Sequence, residues 1–202
     1  MHDFDYEAQF TNTKPLLAVV TGPSGAGKTT LVKRFLVEHP DWRFSVSTTT
    51  RPPRPDEVDG VDYHFVTPRE FEHRFRAGRF LETAVVHGNR YGTELSELDH
   101  FGKAGLVLDV DVQGGESIRK LKPEALLIFV APPSIEHLRE RLAKRNQDGQ
   151  GQMDLRLSNA IEELKQIPNY HYLIINDELE KAYNDLVAIL RAEPLRIARR
   201  RT

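Results

Sequence analysis

The segment Gly22-Pro-Ser-Gly-Ala-Gly-Lys-Thr29 constrains the fold of this chain more than any other stretch. It follows Leu16–Val20, a short continuous apolar run of the kind that forms a strand covered on both faces. It precedes Leu31, Val32, Phe35 and Leu36, whose spacing predicts a helix that Pro40 stops. A glycine-rich turn between a buried strand and a helix is suited to holding phosphate. Gly22, Gly25 and Gly27 can take positive φ and let the backbone approach an anion with no Cβ in the way. Successive N–H groups then converge at the positive end of the helix. Residues Gly22, Pro23, Ser24, Gly25, Ala26, Gly27, Lys28, Thr29 and Thr30 are therefore expected to bind the phosphates of a nucleotide such as ATP. Lys28 offers a point charge to the β and γ oxygens, and the Thr29 hydroxyl can ligate Mg²⁺.

The remaining strands follow the same pattern. Leu106–Val110, Leu126–Val130 and Tyr172–Ile175 are apolar runs that each lead into a helical pattern. The last helix carries Leu179, Ala182, Tyr183, Leu186, Ile189 and Leu190 on one stripe. This alternation predicts an α/β fold, a parallel sheet flanked by helices on both faces, and the Gly22–Thr29 motif after the first strand makes the expected core one of P-loop NTPase type. Residues 50–93 break the rhythm with short alternating runs, Tyr63–Val66 and Phe80–Val86, around a small helix bearing Phe71 and Phe75 and ending at Gly78. They read as a mixed α+β lobe inserted into the core. Gln147–Met153, with two glycines and little apolar bulk, reads as a mobile loop or lid between two helices.

Composition narrows the chemistry. The 202 residues contain no cysteine, which excludes disulfides, thiolate metal sites and cysteine nucleophiles. The first 14 residues are polar and acidic, and no run approaches the length of a membrane span, so the expected compartment is the cytoplasm. The net charge of −2 gives no mandate for nucleic acid or a membrane surface. Arginines are nevertheless clustered, at Arg51 and Arg54, at Arg139, Arg141 and Arg145, and from Arg196 to Arg201. The terminal cluster follows Pro194 without interleaved aromatics and is expected to be a solvated tail.

The segment after the first helix points to a second anion. Ser45-Val-Ser-Thr-Thr-Thr-Arg51-Pro-Pro-Arg54, continuing to Tyr63, combines hydroxyls, two arginines and a tyrosine on a proline-extended stretch, a fitting site for a terminal phosphate. No N-K-x-D element of a guanine-specific GTPase is present. Here the chain closely resembles the guanylate kinase family. The resemblance rests on GPSGAGKTT, FSVSTTTRPPRPDEVDGVDYHFV, FLETA, GNRYGT, LVLDVDVQG, APPS and IINDELEKA, in the family's order across about residues 16–191.

The resemblance implies phosphoryl transfer from ATP to GMP or dGMP with Mg²⁺. It implies that Ser47, Arg51, Arg54, Tyr63 and Tyr91 hold the GMP phosphate, and that Glu82 and Thr93 read guanine. A carboxylate suits that task because guanine presents N1–H and the N2 amino group as adjacent donors, whereas adenine presents an acceptor at N1. Asp109 and Asp111, at the end of a core strand, fall near the acceptor nucleotide and metal, with a helix cap or a solvated carboxylate as the alternative. Asn176 and Asp177 fall near adenine or else cap the last helix. Arg141 falls on the ATP side, sharing a helix face with Arg145. Arg145 and Arg156 fall where the family's lid arginines meet the transferring group, joining Lys28 and Arg54 as the catalytic cations.

Ser134 is expected to cap the helix Ile135–Asn146, and Arg156 to start the next. The family commonly has a threonine–glutamate-rich lid, so QDGQGQM is a departure that should raise the entropy cost of closure. The implied layout is an N-terminal extension (1–14), a single domain (15–191) and a basic tail (192–202). Within the domain lie a core (15–48 and 94–191), an inserted monophosphate-binding lobe (49–93) and a lid (141–157). A non-catalytic module that binds a phosphorylated protein, a related kinase with another acceptor, and a plain ATPase are the rivals. The intact phosphate loop, the base-reading pair Glu82 and Thr93, and the STTTRPPR segment argue against them in turn.

Overall fold

A computed structural model describes residues 14–86, 88–145 and 150–200. Five strands form a parallel sheet: β1 (Leu16–Thr21), β2 (Trp42–Phe44), β7 (Gly105–Asp109), β8 (Leu126–Ala131) and β9 (Tyr172–Ile175), in the order β2-β7-β1-β8-β9. Val20 pairs with Asp109 on one side and Ile128 on the other, so β1 lies in the middle of the sheet. Strand periodicity divides its side chains between two cores. Ala18, Val20, Ile128 and Val130 pack with Leu31, Val32 and Phe35 of α1 (Lys28–Glu38) and with Ala182, Tyr183, Leu186 and Leu190 of α6 (Leu179–Ala192). Leu17 and Val19 pack on the opposite face with Leu106, Leu108, Leu127 and Ile118 of α3 (Val112–Leu121).

A second sheet has β3 (Thr48–Thr49), β4 (His64–Phe65), β5 (Phe80–Val86) and β6 (Asn89–Glu94), in the order β4-β3-β6-β5. The β3–β4 pair is parallel, the other two pairs are antiparallel, and β5 carries a register shift between Phe80 and Glu82. α2 (Pro68–Arg76) buries Phe71 against this sheet and stacks it on Phe80 at 4.5 Å. Thr67 caps it by accepting from Glu70 N at 3.2 Å, and Pro68 occupies its first turn.

The observed elements differ from expectation in three places. The edge strand β2 was not anticipated, because Trp42-Arg-Phe44 is too short to establish a period, and only Trp42 is buried. Next, α4 (Ile135–Arg145) is followed by α5 (Gln150–Leu164), so the predicted loop 147–153 is helical from Gln150 onward, while 146–149 lie outside the described residues. Tertiary burial overrides the poor helix propensity of Gly151: Met153, Leu157 and Ala160 pack on Leu138 and Leu142 of α4. Arg156 accordingly lies well inside α5 rather than at its start. Finally, residues 192–200 are folded, with a short 3₁₀ turn Glu193–Leu195 and α7 (Ile197–Arg200). Glu193 is fully buried there and accepts from Tyr172 Oη at 2.9 Å, Arg196 Nη1 at 3.0 Å and Arg199 Nε at 2.8 Å. Arg196 and Arg199 thus tie the end of the chain to the core, contrary to the expectation of a solvated tail; residues 1–13 and Arg201 lie outside the described residues.

Candidate active site

The loop after β1 turns through positive φ at Gly22 (142°), Gly25 (87°) and Gly27 (93°) and enters α1 at Lys28. At Gly27 the demand is spatial as well, since a Cβ there would stand 2.2 Å from Asn176 Nδ2. No acidic residue occupies the first turn of α1, and its cap position carries no side-chain hydrogen bond. The amides and positive dipole end of the helix are therefore directed to an anion. Lys28 Nζ lies across the loop, donating to Gly22 O at 2.7 Å and Pro23 O at 3.3 Å. Thr29 Oγ1 donates to Asp109 Oδ2 at 2.6 Å, joining the helix start to the carboxyl end of β7. Thr30 is exposed on the same first turn.

β9 braces this loop from behind. Asn176 is buried and donates from Nδ2 to Ala26 O at 2.7 Å. Arg141 of α4 donates to Asn176 O at 2.8 Å and reaches Ala26 O at 3.5 Å. Asn176 therefore pins the phosphate loop and does not cap α6, whose cap position is Glu178. Asp177 is exposed on the turn before α6.

The second sheet supplies the facing wall. Arg51 sits between aromatic rings, its guanidinium 5.4 Å from the centre of Tyr63 and donating from Nε to Tyr91 Oη at 3.3 Å. Glu57 holds both arginines of the segment: Oε1 accepts from Arg51 Nη2 at 2.8 Å and lies 3.5 Å from Arg54 Nη1, while Oε2 accepts from Arg54 N at 2.8 Å. Burial works against ionisation of Glu57, but the bonds from Arg51 and Arg54 outweigh it and hold its carboxyl below the usual range. Burial, with Asp109 and Tyr91 nearby, pushes the Tyr63 phenol up to about 12, so it remains a neutral donor.

Deeper in the wall, Glu82 is only 6 % exposed. Its Oε1 accepts from Thr93 N at 2.8 Å and Thr93 Oγ1 at 2.7 Å. Thr93 is fully buried, and Ser47 Oγ lies 3.4 Å from its hydroxyl. The structure thus makes Thr93 the group that orients Glu82. Burial pushes Glu82 up to about 7, with Asp111 adding to the shift and the Thr93 bonds opposing it. Asp111 is the N-cap of α3, accepting from Gly114 N at 2.8 Å through Oδ1, while its buried Oδ2 has no hydrogen-bond partner among the described residues. Burial raises its pKa as well. The capping alternative therefore holds for Asp111, which also faces the cleft.

One cleft of about 710 Å³ collects these groups. Its lining includes Gly22, Ser24, Gly25, Gly27, Lys28 and Thr29 of the loop, and Asp109, Asp111 and Arg156 beside it. Ser47, Arg51, Arg54, Tyr63, Glu82 and Tyr91 line the facing wall. Pro23, Ala26, Thr30, Thr93, Arg141, Asn176 and Asp177 stand outside the lining. Arg145 ends α4, and the placement of its side chain lies outside the described structure.

Two contributors escaped the sequence reading. Glu57 had a local signal, a carboxylate three residues after Arg54 and six after Arg51 on the same loop. Glu163 had a helical one, because Arg156, Ala160 and Glu163 recur on one face of α5 and all line the cleft. Burial pushes Glu163 up to about 7, with Lys28 opposing and Asp111 adding.

The guanylate kinase family model matches residues 13–193. The chain is 47% identical over 187 residues to a guanylate kinase of Pseudomonas fluorescens, covering 92% of this chain and 91% of that protein. It is 46% identical over 188 residues to one from Symbiobacterium thermophilum, covering 92% and 89%. The crystal structure of guanylate kinase from Anaplasma phagocytophilum superposes with a TM-score of 0.76 at 30% identity, covering 95% of this chain and 92% of that one.

Proposed function

The chain belongs to the guanylate kinase family, and from that premise we propose that it transfers the γ-phosphoryl group of ATP to GMP or dGMP, giving ADP and GDP or dGDP. The observation that carries this reading is a single cleft with a phosphate loop on one side and, on the other, an arginine–tyrosine phosphate cradle beside a buried carboxylate. A GMP phosphate oxygen, already anionic at neutral pH, forms the new bond to the γ-phosphorus. The bond from that phosphorus to the β–γ bridging oxygen breaks, and its electron pair leaves with ADP. No strong general base is required, and catalysis consists of alignment and charge compensation.

Lys28 moves from the loop carbonyls onto the β and γ oxygens, and Arg54, Arg145 and Arg156 compensate charge spread over the transferring group. Arg51, Arg54, Tyr63, Tyr91 and Ser47 hold the acceptor phosphate, with Glu57 keeping both arginines in place. Glu82 accepts from N1–H and the N2 amino group of guanine, and Asp109 and Asp111 flank the acceptor. Asn176 and Arg141 support the ATP side through the loop carbonyl of Ala26, with Asp177 near the adenine. Approach of α4 and α5 over the phosphates expels water and suppresses hydrolysis of ATP.

The donor set fits Mg²⁺. The Thr29 hydroxyl beside the Asp109 carboxylate offers hard oxygens, and this ion is commonly bound by one or two side chains together with substrate phosphates. Among the described residues, no group of three or more His, Asp or Glu forms an all-protein cage. Thr29 would hold the ion, which when bound neutralises charge on the β and γ phosphates. No helix among the described residues is long and apolar enough to cross a membrane, and we take the cytoplasm as the site of the reaction, with nucleotides rather than nucleic acid as partners.

A coupled ADP-release assay with ATP and Mg²⁺ tests the reading across GMP, dGMP, AMP, UMP and CMP. Turnover is expected on GMP and dGMP only, with kcat reduced at least about a hundredfold by Lys28→Ala at unchanged secondary structure. Tight GMP binding without turnover on any acceptor would identify a binding module instead.

A further inference from the structure

Gly114 and Gly115 lie next to each other in the first turn of α3, where each costs about 1 kcal/mol of helix propensity relative to alanine. Neither has positive φ, so the backbone conformation does not call for glycine. The demand is for space, and it differs between the two. An ideal Cβ on Gly115 would stand 2.5 Å from Thr21 Cγ2 and 2.9 Å from Tyr170 Oη, a matter of helix-to-core packing. An ideal Cβ on Gly114 would stand 2.6 Å from Glu82 Oε2, 3.0 Å from Glu82 Cδ and 3.3 Å from Asp111 Oδ1.

The Glu82 carboxylate has no easy escape from such a contact. Its other oxygen, Oε1, is held by both Thr93 N and Thr93 Oγ1, and the residue is only 6 % exposed. Turning away from α3 would give up two buried hydrogen bonds at once. The Gly114 amide is also engaged, capped by Asp111 Oδ1, so the helix start is not free to retreat. Thr93 on β6 and Gly114 on α3 therefore hold the carboxylate from two sides. One supplies donors, and the other leaves a notch where a side chain would be.

We propose that Gly114 is a specificity-determining residue: its missing Cβ forms the notch that holds the Glu82 carboxylate in line with the two donors of the guanine edge. The proposal rests on the reading of Glu82 as the guanine reader. It makes Gly114 a positioning residue, acting through Glu82 without touching the base.

The test compares kcat/KM for GMP and for AMP, and ATP affinity by direct titration, in four proteins: the parent, Gly114→Ala, Gly115→Ala and Glu82→Gln. Gly115→Ala is the matched control, with the same residue change, the same helix turn and an equally tight fit away from Glu82. Gly114→Ala is expected to lower kcat/KM for GMP by at least about tenfold, mainly through KM, and to shrink the GMP-to-AMP ratio, as misplacement of a recognition group does. ATP affinity should stay at the parent value. Gly115→Ala should lower thermal stability and leave the ratio intact. A parent-like ratio in Gly114→Ala, with the ratio lost in Glu82→Gln, overturns the notch while leaving Glu82 as the reader. A parent-like ratio in Glu82→Gln overturns the underlying reading. Should Gly114→Ala fail to fold, Gly114→Ala/Glu82→Asp, whose shorter acid clears the new methyl, must restore folding; a double variant that remains unfolded overturns the proposal.

Discussion

Burial and the neighbouring Asp111 push the Glu82 carboxyl up to about 7, against the pull of two bonds from Thr93. The folded state therefore binds a proton more tightly than the unfolded chain does. Stability contributed by this group is complete below the ordinary carboxylate range and is lost as pH rises toward 7. Above that pH the ionised side chain costs the fold up to about 3 kcal/mol. Glu82→Gln keeps the shape and cannot ionise. It is expected to raise the thermal midpoint at pH 8, by about 2–4 °C for each kcal/mol recovered, with the gain vanishing near pH 4. The same variant should lose preference for GMP, since an amide cannot accept from both guanine donors. Thermal melts at pH 4, 6 and 8 check the first part, and a midpoint that does not rise at pH 8 would contradict it. Glu193 has the opposite sign. Burial opposes its ionisation, but Arg199, Tyr172 and Arg196 hold it below the usual range, so its contribution is present at neutral pH and lost on acidification.

Among the elements, the contact between β9 and the phosphate loop is the most consequential. Ala26 O, inside the loop, accepts from Asn176 Nδ2 at 2.7 Å, and Gly27 has no side chain where the amide of Asn176 passes. The end of one strand thus sets the curvature of a loop that precedes it by about 150 residues in sequence. Asn176→Ala removes the donor and leaves a buried carbonyl relying on the long contact from Arg141. A loss of about 1–3 kcal/mol is expected. ATP affinity should fall several-fold and GMP affinity should hold, because the acceptor wall belongs to the other sheet. Titration of both nucleotides against the variant separates the effects, and equal weakening of both would rule out a local role. Helix α5 illustrates another aspect of this scale: its first turn contains Gly151, yet its apolar face on α4 carries the helix back to Gln150.

At the scale of the whole molecule, two sheets meet at one cleft. The parallel sheet delivers Lys28, Thr29 and Asp109 at the carboxyl ends of its strands, and the mixed sheet delivers Arg51, Glu82 and Tyr91. The chain is closed at the far end of the core by Glu193, which binds Tyr172 of β9 and two arginines of the last segment. Glu193→Ala releases all three donors and should destabilise the fold by about 1–3 kcal/mol, because the arginines it frees regain water. Phosphoryl transfer should continue at the parent kcat below the melting range. A loss of kcat without a fall in the melting temperature would mean that the closing segment acts on the cleft.

The sequence by itself determined the parallel core and the phosphate loop. These depend on local rules: apolar runs of strand length, helical spacing, and glycines at fixed offsets before Lys28 and Thr29. The resemblance carried by Arg51, Arg54, Glu82 and Tyr91 extended that reading to a second nucleotide, because those motifs also lie close together along the chain. What escaped it depends on contacts between distant residues. Strand β2 exists because β7 offers it an edge, and α5 starts early because α4 offers it an apolar face. Arg196 and Arg199 are ordered because a buried carboxylate receives them. Gly114 reads locally as a poor helix residue. Only the tertiary structure, by bringing the carboxylate of Glu82 against it, gives the absence of its side chain a purpose.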